Sequence, residues 1–169
     1  MKTKIIGLIT LIGLIMTPVF FNGCVKSPDF EVEKQTLLAI HKAQADAHLN
    51  KNAGQFVNQF ANPMISINQG KIITVTQEAA LERFQNYFNT VSIKSWEDVA
   101  PPVIDFSDDA TMVYMVVDKL VVLTYKNEEN KTIEETTHFA WVSIFKKQEN
   151  GEWKIVCNIS TNKPRNMSL

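Results

Sequence analysis

The chain has 169 residues, enough for one domain with a sizeable core. Its formal net charge is −1, and setting aside the apolar N-terminus with Lys2 and Lys4 leaves 15 basic residues against 18 acidic, or −3. That excludes the basic surface a nucleic-acid binder needs, and two cysteines, one with another use, exclude a disulfide framework.

The chain opens as an address. Met1 to Lys4 is short and basic, and the next seventeen residues, IIGLITLIGLIMTPVFF, are almost continuously apolar. Phe21-Asn22-Gly23-Cys24 follows, and through Gly23 and Cys24 it resembles a bacterial lipoprotein cleavage box. An ordinary signal-peptidase site would need small residues at alternate positions, which Phe21 does not supply. An uncleaved anchor interrupted by Pro18 is at the short limit for spanning. The expected layout is a signal peptide over 1–23, a tether over 24–30, one domain over 31–162 and a tail over 163–169. The lipoprotein reading implies a lipid on Cys24, no transmembrane helix in the mature protein, and a place in the bacterial cell envelope.

Pro28 and Asp29 signal a helix start, and residues 30–50 lack Gly and Pro. Val32, Leu37, Leu38, Ile40, Ala45 and Leu49 give this helix an apolar face, which His41 and His48 border. A second, shorter helix is expected over 53–60. Two short strands, 64–68 and 71–75, form a hairpin across Gln69-Gly70. Thr76 caps a third helix, whose Leu81, Phe84, Tyr87 and Phe88 make a core-facing stripe. Residues 91–106 are extended and carry Trp96. Pro101-Pro102 places this segment at an edge or a bulge.

Residues 111–161 read as three long strands, MVYMVVDKLVVLTY, THFAWVSIFKK and EWKIVCNIS. Asn150-Gly151 predicts a two-residue type I′ hairpin turn. It would pair Glu149 with Glu152, Ile144 with Cys157 and Val142 with Ile159. Trp153, Ile155, Cys157 and Ile159 then face the helices with His138, Ala140, Val142 and Ile144. Phe139, Trp141 and Phe145 fall on the opposite face, which suggests a cover there, such as a second subunit. Depending on loop length, either Asp118 or Lys119 shares the face of His138, and a register change of one residue exchanges them. The order predicts an α+β fold: a curved, mostly antiparallel sheet of about four long strands plus a short hairpin, with three helices on its concave face.

No HExxH, CxxC, P-loop, dinucleotide fingerprint or GxSxG is present. His41 and His48 stand at i and i+7 and would need a third ligand to hold a metal, so neither a metal nor a cofactor is expected. Cys157 reads as a small buried hydrophobe.

The long first helix running into AHLNKNAGQFVNQFA, then MISINQGKI, TQEAALERFQNYF and ENGEWKIVCNIS, span about residues 34–160, most of the mature chain. In this order they resemble the SnoaL-like branch of the nuclear transport factor 2-like superfamily, the cone that includes ketosteroid isomerase and scytalone dehydratase. The resemblance implies a conical cavity between helices and sheet, often with dimerisation through the outer sheet face. Members include enzymes and non-catalytic binding domains. Enzymatic members set a carboxylate or His base opposite an acidic donor. Asp118 or His138 would be that base here, with Tyr87 or Tyr114 as donor, though no motif aligns any of them with a catalytic position. The expected function is non-catalytic binding of a small apolar or amphipathic ligand, or of a protein partner. The pocket candidates are His41, His48, Tyr87, Trp96, Asp118 and His138. The alternatives are a small isomerase, dehydratase or hydrolase using an Asp/His pair, and an assembly module acting through the outer sheet face.

Overall fold

A computed structural model describes residues 28–163 and the backbone of 166–168. The expected signal peptide and Cys24 lie outside the described residues. The chain runs α1 (Phe30–Leu49), α2 (Ala53–Val57), β1 (Phe60–Asn68), β2 (Lys71–Val75) and α3 (Gln77–Thr90). It continues through β3 (Val91–Asp98), β4 (Val103–Phe106), β5 (Met112–Lys126), β6 (Thr132–Lys147), β7 (Trp153–Asn162) and β8 (Asn166–Ser168). The class is α+β, as the sequence predicts.

Side-chain caps start the helices. Asp29 accepts from the Val32 amide at 3.2 Å, Asn52 from Gln55 at 2.9 Å and Thr76 from Ala79 at 3.3 Å. The second helix is shorter than expected because Phe60 is drawn into β1, where it pairs with Ile155. Gln69 and Gly70 both have positive φ, 48° and 74°, and turn the β1–β2 hairpin.

Among the described residues the sheet has eight strands in the order β2-β1-β7-β6-β5-β3, with β4 also on β5 and β8 also on β6. Among the described residues, only the β1–β7 pair is parallel. The count exceeds the expected one partly because the Pro101-Pro102 break divides residues 91–106 into β3 and β4. Both still pair along β5, with Asp98 opposite Lys119 and Val103 opposite Val116.

The β6–β7 register departs from expectation and re-aims the site. Of the Asn150-Gly151 pair, only Gly151 has positive φ, 85°. The Gln148 amide donates to the Glu152 carbonyl at 2.8 Å, so the loop carries three residues, 149–151. Lys147 therefore faces Trp153, and Phe145 faces Ile155. Val156 then bulges out, and the expected pairs Ile144–Cys157 and Val142–Ile159 resume beyond it. Trp153 and Ile155 face the helices as expected, but the other expected faces reverse. Phe139, Trp141, Ser143 and Phe145 are the helix-facing set of β6. His138, Ala140, Val142, Ile144, Cys157 and Ile159 lie on the outer face.

The main core gathers Leu37, Phe60, Met115, Phe145, Trp153 and Ile155. Glu33 fastens α1 to it by accepting from the Trp153 indole at 2.7 Å and from Lys147. The Lys147 hydrogen bond holds the Glu33 carboxyl below its ordinary range against the opposing effect of burial.

Phe145 is 0% exposed. Phe145→Ala is expected to cost about 3–5 kcal/mol in urea denaturation, and Ile144→Ala, on the outer face, well under half of that. Equal losses would contradict the register.

Candidate functional site

The inward stripe of α1 is Leu37, His41, Gln44, Ala47 and His48. This corrects the apolar face expected for the helix: Val32 and Leu49 are exposed, and both histidines are buried. A mostly polar inward stripe must find partners inside the fold.

His41 finds one in Asp98. Its Nε2–H donates to Oδ2 at 2.9 Å, which leaves Nδ1 buried without a partner. Lys119 Nζ lies 2.5 Å from Asp98 Oδ1, with the lysine side chain 1% exposed. Burial raises the Asp98 carboxyl, but hydrogen bonds from Lys119 and His41, together with their charges, outweigh it and hold the group below its ordinary range. Lys119, not Asp118, is therefore the inward residue of β5. Asp98 went unrecognised in the sequence. The signal that would have found it is an inward lysine in an apolar run, which demands a carboxylate.

Asp118 and His138 are corrected as pocket residues. They bond to each other on the outer sheet face, where both are partly exposed. Tyr87 also lies off the cavity. It packs beside Val91, Val121 and Leu123.

A cavity of about 250 Å³ lies between helices and sheet. Its walls include His48, Phe56, Phe84 and Trp96 on one side, and Phe139, Trp141, Ser143 and Asn158 on the other. Arg83 is exposed at its rim. Asn158 and Ser160 reach the cavity because the Val156 bulge turns them inward. Of the six sequence candidates, His48 and Trp96 are on this wall, and His41 belongs to the ion cluster.

His48 is enclosed by rings. Trp96 stacks on it at 3.8 Å between centroids, and Phe56 meets it edge-on at 4.4 Å. Its Nδ1–H donates to the Gln44 carbonyl at 2.7 Å. Burial pulls its pKa from 6.5 to about 4, with a further push from Lys119 and partial opposition from the Gln44 hydrogen bond. Across the cavity Ser143 donates to Asn158 at 2.9 Å, and Asn68 donates to Ser160 at 2.6 Å.

The titratable groups on the wall are His48 and Arg83; no carboxylate is among the lining residues. A histidine with a pKa of about 4 is a weak general base at neutral pH. Among the described residues, no group of three His, Cys, Asp or Glu could hold a metal ion.

No family model matches the chain, and no curated protein matches it in sequence. Solved structures do match in fold. A candidate scytalone dehydratase from Novosphingobium aromaticivorans has a TM-score of 0.66 at 12% identity, covering 81% of this chain and 88% of that one. A type 2 hexachlorocyclohexane dehydrochlorinase, LinA, has 0.65 at 13% identity, with coverages of 83% and 92%. A ketosteroid isomerase-like protein from Erwinia carotovora atroseptica has 0.62 at 12% identity, with 78% and 98%. At these identities the likeness to these structures is one of fold.

His48 titrates near 6.5 when unfolded and about 4 when folded, so between those values the unfolded chain takes up a proton that the fold rejects. Its contribution is full above pH 6.5 and is lost as pH falls toward 4, by roughly 3 kcal/mol. Urea midpoints measured from pH 7 to 4 should fall accordingly, and His48→Phe should flatten that part of the profile. An unchanged profile in the variant would contradict the burial of His48.

Proposed function

We propose that this chain is a lipid-anchored protein of the bacterial cell envelope, of the SnoaL-like branch, that binds a small amphipathic ligand without turnover. The observation that carries the binding reading is the cavity wall. It is built of aromatic rings with a few polar groups and no acid–base pair. The enzymatic alternative draws support from the names of the fold neighbours, which include a dehydrochlorinase and a candidate dehydratase. It needs two catalytic groups converging on one reacting atom. Both Asp–His pairs of this chain, His41–Asp98 and His138–Asp118, lie off the cavity wall.

The anchor is supported by the basic start, apolar run and Cys24 of the sequence. Because α1 begins at Phe30, a lipid on Cys24 would hold the domain within roughly 20 Å of the membrane surface. The outer sheet face supports a homodimer. Tyr114, Val116, Leu120 and Ile159 are exposed there, together with Ile65 and Ile72 of the hairpin.

Native mass spectrometry of the protein released gently from its membranes should show a dimer carrying added small-molecule mass. Trp141→Ala should lose the added mass, and Val116→Glu should yield a monomer that keeps it. Consistently empty protein would overturn the binding reading, and a wild-type monomer would overturn the outer-face interface.

Metabolic labelling with palmitate should mark the wild type and not Cys24→Ser. Equal labelling would overturn the anchor.

A further inference from the structure

Two side chains of α1, one turn apart, each present to the cavity a polar group that bonds no protein atom, His48 through Nε2 and Gln44 through its carboxamide. His48 is 4% exposed and Gln44 6%. The bond from His48 Nδ1–H to the Gln44 backbone carbonyl places the ring proton on Nδ1 and the lone pair on Nε2. The Trp96 stack and the Phe56 edge fix the plane of the ring. Among the described residues, no donor reaches Nε2 and no group bonds the Gln44 carboxamide. Both groups are open to the cavity, where a bound molecule can reach them. The facing polar groups are already engaged with each other, Ser143 with Asn158 and Asn68 with Ser160.

We propose that the ligand carries a neutral hydroxyl on a flat ring, which donates to His48 Nε2 and accepts from the side-chain amide of Gln44. This rests on the binding function proposed above and specifies its ligand. A hydroxyl supplies both the proton that Nε2 lacks and a lone pair for the amide. An ether supplies only the lone pair, and an ionised carboxylate sets lone pair against lone pair. Phe56, Phe84, Trp96 and Trp141 offer the faces and edges on which a flat ring packs. Because burial holds the imidazole neutral down to about pH 4, the acceptor persists through the physiological range. Arg83 at the rim is the competing feature, since it would favour an anion.

The test is calorimetry on the full-length chain in phospholipid nanodiscs, with empty nanodiscs as blank. The probes are 4-ethylphenol, its methyl ether 4-ethylanisole, and 4-ethylbenzoate. The phenol should bind roughly tenfold tighter than either of the others. His48→Phe keeps a ring in the cage and removes the acceptor, so it should erase that preference. In wild-type protein with nitrogen-15 histidine, the Nε2 resonance of His48 should shift with the phenol and stay put with the ether, which tests the contact even if the variant does not fold. Equal affinity for phenol and ether, a preference that survives in His48→Phe, or an unmoved Nε2 resonance would each overturn the assignment. Tightest binding of the benzoate would also overturn it and place recognition at Arg83. If none of the three binds, the binding function falls, and the hydroxyl assignment with it.

Discussion

A lysine ammonium with almost no exposure lies beneath α1, and much of the site follows from satisfying it. A buried charge left unpaired is strongly destabilising, so Lys119 requires a carboxylate at contact distance. Asp98 supplies it from the last position of β3, directly across the strand pair. The second oxygen of the same carboxylate takes the imidazole of His41. One acidic group therefore ties two strands to a helix and sets the rotation of that helix about its axis. With His41 turned down onto Asp98, Gln44 and His48 come to lie over the cavity.

The inward face of α1 is divided into two zones of different character. Nearer its N-terminus are the charged contacts, Glu33 with Lys147 and His41 with Asp98. Nearer its C-terminus the polar groups are neutral and sit among rings. Lys119 marks the boundary, for its charge also pushes down the His48 pKa. Charge is thus concentrated where the structure is closed, and the cavity keeps a low-charge wall. Such a division suits recognition by shape and hydrogen bonds better than proton transfer, which needs an acid and a base facing one substrate atom.

Most of the element order was legible in the sequence. Capping residues, Gln69-Gly70 and the proline pair each carry a local physical meaning, and the structure uses each of them. The faces of β6 and β7 were harder to read. Asn150-Gly151 suits both a two-residue and a three-residue loop, and the longer loop shifts the register by one. The bulge at Val156 shifts it back. The two departures cancel beyond the bulge, so Ile144 pairs with Cys157 as expected while Phe145 faces the other way. The spacing of Phe139, Trp141 and Phe145 was the better guide, because three large rings on alternate residues seek the core. On α1 the hydrophobic pattern misled for the opposite reason: its buried stripe is polar and is held by partners far along the chain. Asp98 stands beside the proline break, in a stretch where sequence carries no signal of burial.

The parallel pairing of β1 with β7 also bears on when this molecule can assemble. The last long strand is inserted between the hairpin and β6, and it joins Asn68 to Ser160 across 92 residues. Until β7 arrives, the β1–β2 hairpin has no neighbour through which to enter the sheet. A chain emerging from its N-terminus therefore completes nearly its whole length before its first strands find their place. Its contacts are dominated by distant pairs, and such topologies fold slowly. The N-terminal half must wait, with its apolar strands uncovered, for the C-terminus to close the sheet.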